Sequence, residues 1–234
     1  MRHVRLDTFV VVASIVAALS TGGCGGATDL PGAPSPVDTG WSALTGEEQE
    51  IARTAHLNLV FQHGPSGTTK PPRLPVLIHA DAGPAADFLP DGAQLWQTAL
   101  APYLPSGVVP FQIVGSSSSA VAKLDYDWPG PPGEQTSDPA TCGGANARRI
   151  EGNVVVEAFA HFAFFARPNE CARSAEFMKE TVAHELGHIL MHGTHSQTGI
   201  MSTRTAQGSR WFVPPAIARA MGWWLTVPPA TRPV

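Results

Sequence analysis

The sequence carries little charge: 15 lysines and arginines stand against 19 aspartates and glutamates in 234 residues, for a net charge of -4. Because no basic excess exists to neutralise a phosphate backbone, we do not expect nucleic acid as a partner. Charged residues make up only 15% of the chain, which excludes a long disordered acidic or basic tract, and 23 glycines with 22 prolines exclude an extended coiled coil. A chain of this length and hydrophobic content can bury its own core without a dense disulfide framework.

Long hydrophobic runs are scarce as well. The apolar run near the start, residues 9–19, is too short to cross a bilayer, which takes about 20 apolar residues. Arg2 and Arg5 precede this run and small residues follow it, a pattern typical of a secretory signal. We therefore interpret residues 1–23 as a signal peptide.

The sequence TGGCGG around Cys24 resembles a bacterial lipoprotein signal, and this resemblance implies that Cys24 is lipidated. Residues 24–40, rich in glycine, proline and small polar residues, are predicted to form a flexible tether. The folded domain is then expected to span residues 41–234. We expect an exported monomer in the cell envelope, periplasmic or at the outer surface, or else secreted, which meets the membrane only through the lipid anchor.

Only three cysteines are present. If Cys24 carries lipid, Cys142 and Cys171 remain, and in an exported chain we expect them to form a disulfide. Such a bridge would close a loop of about 30 residues and contribute about 3 to 4 kcal/mol in the loop-entropy model. Two free buried thiols are the alternative.

The hydrophobic periodicity indicates an α+β domain with a small mixed sheet, a long helix that contains the motif described below, and a C-terminal helix. Thr45 and Glu48 have the spacing of a capping box at the start of the first helix. A long surface loop is predicted over residues 127–147, which are rich in proline and glycine. Helices are predicted over residues 47–61, 92–104, 172–192 and 214–223, and strands over 74–79, 108–114, 153–159 and 162–166.

The helix predicted over residues 172–192 contains the motif HExxH, formed by His184, Glu185 and His188. Histidines four residues apart project from one face about 6 Å apart along the axis, so both imidazoles can bind one zinc ion. Glu185 would lie beside a zinc-activated water and act as general base in the hydrolysis of a peptide bond. The motif therefore predicts a hydrolytic zinc site.

A hydrolytic zinc site needs a third protein ligand and an open fourth position. His192 lies about 12 Å along a straight helix from His184, too far for both to bind one ion. Gly193 can end the helix in the left-handed conformation and allow His195 to turn back toward the metal. We predict His195 as the third ligand, with His192 as the alternative.

The stretch HELGHILMHGTHSQTGIMS, residues 184–202, resembles the metzincin zinc metallopeptidases, in particular a divergent, matrixin-like bacterial branch. The resemblance implies a metzincin-like fold, a Zn2+ cofactor, a peptide or protein substrate and endopeptidase activity. It also implies that Met201 belongs to a Met-turn beneath the zinc site, with an ordinary core methionine as the alternative. A strand near residues 154–157 would line the cleft and pair with an extended substrate, or would be an ordinary core strand.

The sequence also permits other interpretations of the motif and of the acidic residues. The pattern HExxHxxxH resembles gluzincin-like sites that take a downstream acid as third ligand, but no Asp or Glu follows Glu185. A non-catalytic zinc-containing surface lipoprotein that binds a partner through the cleft is the alternative from another class. Asp125 and Asp127 are a weak candidate pair for calcium. Four further histidines have no ligand spacing to one another and are expected to be structural or surface residues: His56, His63, His79 and His161.

Overall fold

The computed structural model describes residues 40–63, 73–126, 142–151, 154–165, 168–190, 195–202 and 210–226. The predicted signal peptide, Cys24 and most of the predicted tether lie outside these residues. In the described part of the chain, no helix is both long enough and apolar enough to span a membrane. The helices are α1 Gly46–His63, α2 Pro84–Leu100, α3 Pro168–Cys171, α4 Ala175–Ile189 and α5 Pro215–Thr226.

The strands form one five-stranded mixed sheet in the order β2-β1-β3-β5-β4. Neighbouring strands are parallel except for β4, which runs antiparallel to β5 at one edge of the sheet. The prediction of an α+β domain with a small mixed sheet is thereby confirmed. The strands are β1 Val76–Ala80, β2 Phe111–Ile113, β3 Ala122–Tyr126, β4 Gly143–Glu151 and β5 Val154–Phe162.

The core lies between one face of the sheet and the helices α2 and α4. Alternate residues of β5 are fully buried, namely Ala158, Ala160 and Phe162, as the two-residue period of a strand requires. Helix α2 contributes Trp96, which is also fully buried and donates a hydrogen bond from Nε1 to the Ala183 carbonyl of α4 at 2.8 Å. This contact fixes α4, the HExxH helix, against α2.

Local signals at the helix starts agree with the structure. The Thr45 amide donates to Glu48 Oε2 at 2.7 Å, and the Glu48 amide donates to Thr45 Oγ1 at 3.3 Å, so the predicted capping box is present. Helix α4 begins after Ser174, whose hydroxyl oxygen accepts from the Phe177 amide at 3.1 Å. It ends at Ile189, so its described length is shorter at both ends than predicted.

One loop prediction and one prediction of two separate strands were wrong. Residues 143–147, expected to belong to a loop, are part of β4, and the two strands predicted over 153–159 and 162–166 are replaced by the single strand β5. Glycines suit β4 because a Cβ at Gly144 would lie 2.7 Å from the His161 ring on β5. Strand β3 was not predicted.

Helix α2 extends further toward the N-terminus than predicted and begins at Pro84. Proline is well tolerated in the first turn of a helix, where its missing N–H has no helical partner. The predicted interruption near Pro102 is present, because α2 ends at Leu100 and a short 3-10 helix, Ala101–Tyr103, follows.

The predicted disulfide is confirmed. Cys142 and Cys171 are bonded across a sequence separation of 29 residues. Both cysteines are buried, and the bridge connects the residue before β4 to the last residue of α3.

Candidate metal centre

His184 and His188 lie one turn apart on α4 and face each other. Their Nε2 atoms are 3.1 Å apart and their ring centroids 4.8 Å apart. His184 is almost completely buried, whereas His188 is partly accessible. The pair is therefore built by the helix alone, as the spacing of the motif indicates.

His195 joins this pair from the segment that follows α4. Its ring centroid lies 5.1 Å from that of His184 and 5.4 Å from that of His188. The ligand atoms of the three imidazoles all lie within 4.8 Å of one another. His192, the alternative ligand, falls in residues 191–194, outside the described part of the chain.

A hydrogen bond to the backbone fixes the orientation of the His184 ring. Its Nδ1 lies 2.8 Å from the Ile200 carbonyl oxygen, which can only accept, so Nδ1 carries the proton. In the neutral imidazole this leaves the lone pair on Nε2, the atom that faces His188. Metal-binding histidines in proteins are usually oriented by such a hydrogen bond.

The three histidines fit a metal ion. In a tetrahedral zinc site with Zn–N distances of about 2.0 to 2.1 Å, two ligand nitrogens lie about 3.3 Å apart, close to the 3.1 Å between His184 and His188. Among the described residues the group contains three ligands and no fourth. Three imidazoles suit zinc and other divalent first-row metals alike, so this geometry defines a candidate metal site without selecting the metal.

Burial favours the neutral form of two of the three histidines, His184 and His195. It lowers the pKa of His184 well below 6.5, and the neighbouring charge of His188 lowers it further. Burial also lowers the pKa of His195, and the charge of Arg210 adds to that shift. Since a metal binds the neutral imidazole, both shifts leave these ligands available at neutral pH.

Glu185 is buried, with 3% of its surface exposed, and its carboxylate packs against the start of β4. A Cβ at Gly143 would lie 2.6 Å from Glu185 Oε1 and 3.0 Å from its Cγ. Gly143 follows Cys142, so the disulfide, the edge strand and the carboxylate meet at one place. Glycine at this position leaves room for the Glu185 side chain.

Met201 lies against the middle of the HExxH motif. It is fully buried, and a Cβ at Gly187 would lie 2.4 Å from its sulfur and 2.5 Å from Trp96 Cζ2. Gly187 stands between the two helical histidines, so the methionine packs on α4 at the level of the candidate site. Met201 is thus part of the buried core beside the candidate ligands, and its assignment to a Met-turn stays a prediction.

Arg210 is a site residue that the sequence reasoning missed. Its guanidinium donates to the Ser202 hydroxyl and to the carbonyl oxygens of Ile200 and Ser202. Burial lowers the pKa of Arg210 from its usual value, an effect that the charge of Glu180 opposes. No local sequence signal marks this arginine, because its partners belong to a turn about ten residues earlier.

The strand predicted as a substrate rim forms the first part of β5, which lies between β3 and β4 in the sheet order. In the register of the described residues, residues 154–157 pair with β4, whereas β3 pairs with residues 158–162 of the same strand. The edge beside Glu185 is β4. Val155 within residues 154–157 is buried, as in a core strand, and the substrate-rim interpretation stays a prediction.

Among the side chains that the structure describes, the other candidate histidines, His79 and His161, are not part of the metal-ligand group. His79 contacts the Val114 carbonyl and Asp81, and His161 lies on β5, where burial lowers its pKa. Asp125 lies in β3, whereas Asp127 is outside the described residues. His56 and His63 lie within α1.

Comparisons of this chain with protein-family models, with curated proteins and with solved structures found no match.

Proposed function

We propose that this chain is an exported zinc-dependent endopeptidase of the metzincin-like, matrixin-like type. The observation that carries the proposal is the convergence of His184, His188 and His195, with ligand atoms within 4.8 Å of one another, beside the buried carboxylate of Glu185. A purely structural zinc site is usually closed by four protein ligands and needs no adjacent acid. The arrangement thus favours catalysis over a structural role.

In this proposal each residue has a distinct role. His184, His188 and His195 hold the metal, and Glu185 is the general base. A zinc ion bound there would supply a Lewis acid that polarises the scissile carbonyl and lowers the pKa of water toward 7. Glu185 accepts the proton of the attacking water and transfers it to the amine nitrogen as the peptide C–N bond breaks.

The position of β4 favours an extended polypeptide as substrate. An edge strand has unpaired backbone N–H and C=O groups that can bind a peptide as an additional strand. Because Gly143 at the start of β4 packs against Glu185, a peptide on this edge would have its backbone close to the general base. The bound peptide would be fixed mainly through its main chain.

The compartment is proposed from two features. The N-terminal segment up to Cys24 is typical of a lipoprotein signal. The disulfide between Cys142 and Cys171 supports an oxidising environment, since such bridges are rare in the cytosol. We therefore place the enzyme outside the cytoplasm, attached to the cell envelope through Cys24 or secreted.

The proposal is tested with Glu185→Gln, which removes the base and keeps the size of the side chain. A mixture of unfolded proteins serves as substrate, with new termini counted by mass spectrometry, and zinc content is measured in parallel. We expect zinc to be retained and hydrolysis to fall by at least about 100-fold. The matched control is Glu176→Gln, an exposed glutamate at the start of the same helix, which should leave hydrolysis unchanged.

Equal hydrolysis by the wild type and Glu185→Gln would contradict the mechanism. A wild-type protein that holds one zinc per chain but cleaves nothing would favour the non-catalytic surface lipoprotein instead.

A further inference from the structure

Arg210 is a buried arginine whose hydrogen bonds to residues that the structure describes go to one short segment. Its Nε donates to Ser202 Oγ at 3.0 Å, and its Nη2 donates to the Ser202 carbonyl at 2.7 Å and to the Ile200 carbonyl at 3.2 Å. Only 8% of the residue is exposed. Burial of a guanidinium is costly unless its donors are satisfied, so this arginine is specifically built into the fold.

The other side of the guanidinium faces α4. Its Nη1 lies 3.8 Å from Glu180 Oε2, and both side chains are largely buried. Glu180 precedes His184 by four residues and therefore lies one turn before it on the helix. Arg210 thus bridges the HExxH helix and the segment 195–202 that follows it.

The segment held by Arg210 orients two of the three candidate metal ligands. The Ile200 carbonyl that accepts from Arg210 also accepts from His184 Nδ1 at 2.8 Å. The Ser196 amide donates to the Met201 carbonyl at 2.9 Å, and Ser196 forms a β-bridge with Ser202. His195, next to Ser196, is therefore tied to the same turn.

We propose that Arg210 is a positioning residue of the metal centre, which holds the turn at residues 200–202 so that His184 and His195 converge with His188. The inference rests on the metal site of the proposed function. The charge of Arg210 would by itself oppose a bound cation, so its contribution must come from the geometry it imposes. A variant that loses the hydrogen-bonding fork should then weaken metal binding even though it removes a repelling charge.

The test compares two variants. Arg210→Gln loses both the charge and the planar set of guanidinium N–H donors, whereas Arg210→Lys keeps the charge and loses only that set of donors. Arg219→Gln is the matched control. Arg219 also donates to a carbonyl, that of Ala43, and lies 3.8 Å from a glutamate, Glu48, away from the histidines. Each protein is titrated with Co2+, whose visible spectrum reports both affinity and coordination geometry.

A second readout uses the metal-free protein. Native-state hydrogen exchange of the Ser196 and Ser202 amides measures opening of the turn independently of any activity. We expect both Arg210 variants to bind Co2+ at least about tenfold more weakly, with an altered spectrum and faster exchange at these two amides. Arg219→Gln should change neither the cobalt affinity nor the exchange of these amides.

Four outcomes decide whether Arg210 positions the metal ligands. Cobalt affinity and spectrum equal to wild type in both Arg210 variants, or tighter binding by Arg210→Gln, would overturn the inference. If Arg210→Gln does not fold, Ser202→Ala decides by the same readouts. It removes one partner of Arg210 and should weaken cobalt binding about fivefold, while unchanged binding would overturn the inference. A wild-type protein that binds no cobalt or zinc would instead refute the proposed function itself.

Discussion

Gly143→Ala is expected to damage catalysis without damaging metal binding. An added Cβ would lie 2.6 Å from Glu185 Oε1, whereas ordinary van der Waals contact begins at 3.4 Å, so the carboxylate must move by about 0.8 Å or more. A misplacement of about 1 Å at a reacting group can cost about 100-fold in rate. We therefore expect kcat to fall by about 10- to 100-fold, and zinc content to stay at the wild-type level because the histidines are not displaced.

The neighbouring glycine supplies the control. A Cβ at Gly144 would lie 2.7 Å from the His161 ring instead of Glu185, so Gly144→Ala introduces a comparable steric conflict on the same strand. Steady-state proteolysis should show a large fall in kcat only for Gly143→Ala, with both variants compared by thermal unfolding. Equal losses in the two variants would mean that general distortion of β4, rather than displacement of Glu185, lowers the rate, and would refute the reasoning.

Three further expectations concern stability. Gly187→Ala would place a Cβ 2.4 Å from the Met201 sulfur and should lower the free energy of unfolding by about 1 to 3 kcal/mol in urea titrations, as overpacking does; no loss would mean that Met201 moves freely. Replacing both Cys142 and Cys171 by serine should cost about 3 to 4 kcal/mol, measured in the same way, and an effect below about 1 kcal/mol would contradict the loop-entropy reasoning. Because the pKa of His184 is lowered in the folded state, the unfolded chain binds more protons below about pH 6.5, so the stability of the metal-free protein should fall as the pH drops below 6.5, by up to about 1.4 kcal/mol per pH unit. A His184→Gln variant with the same pH slope would refute that assignment.

The sequence was sufficient for the parts of the site that depend on local spacing. Helical periodicity placed His184, Glu185 and His188 on one helix, and the four-residue spacing of the histidines is realised directly in the 3.1 Å separation of their Nε2 atoms. His195 was within reach of prediction because a glycine follows the helix. The capping box of Thr45 and Glu48 was equally local.

The features that the sequence did not predict depend on contacts between residues far apart in the chain. Gly143 and Gly144 suggest a loop, but in β4 they are glycines because Glu185 and His161 occupy the space beside them. The apolar runs predict two strands, 153–159 and 162–166, whereas the backbone continues as one strand through His161, which pairs with Gly144 on β4. Arg210 could not be recognised, since its role exists only once the turn at residues 200–202 has folded against α4.

The most direct test of the account is the metal content of the purified protein, measured by elemental analysis for the wild type, His195→Ala and His161→Ala. His161 is the matched control, a partly buried histidine outside the cluster. The account predicts one zinc per chain in the wild type and in His161→Ala, and loss or strong weakening in His195→Ala. Absence of zinc from the metal-replete, disulfide-bonded wild type, or full zinc content in His195→Ala, would contradict the three-histidine metal centre.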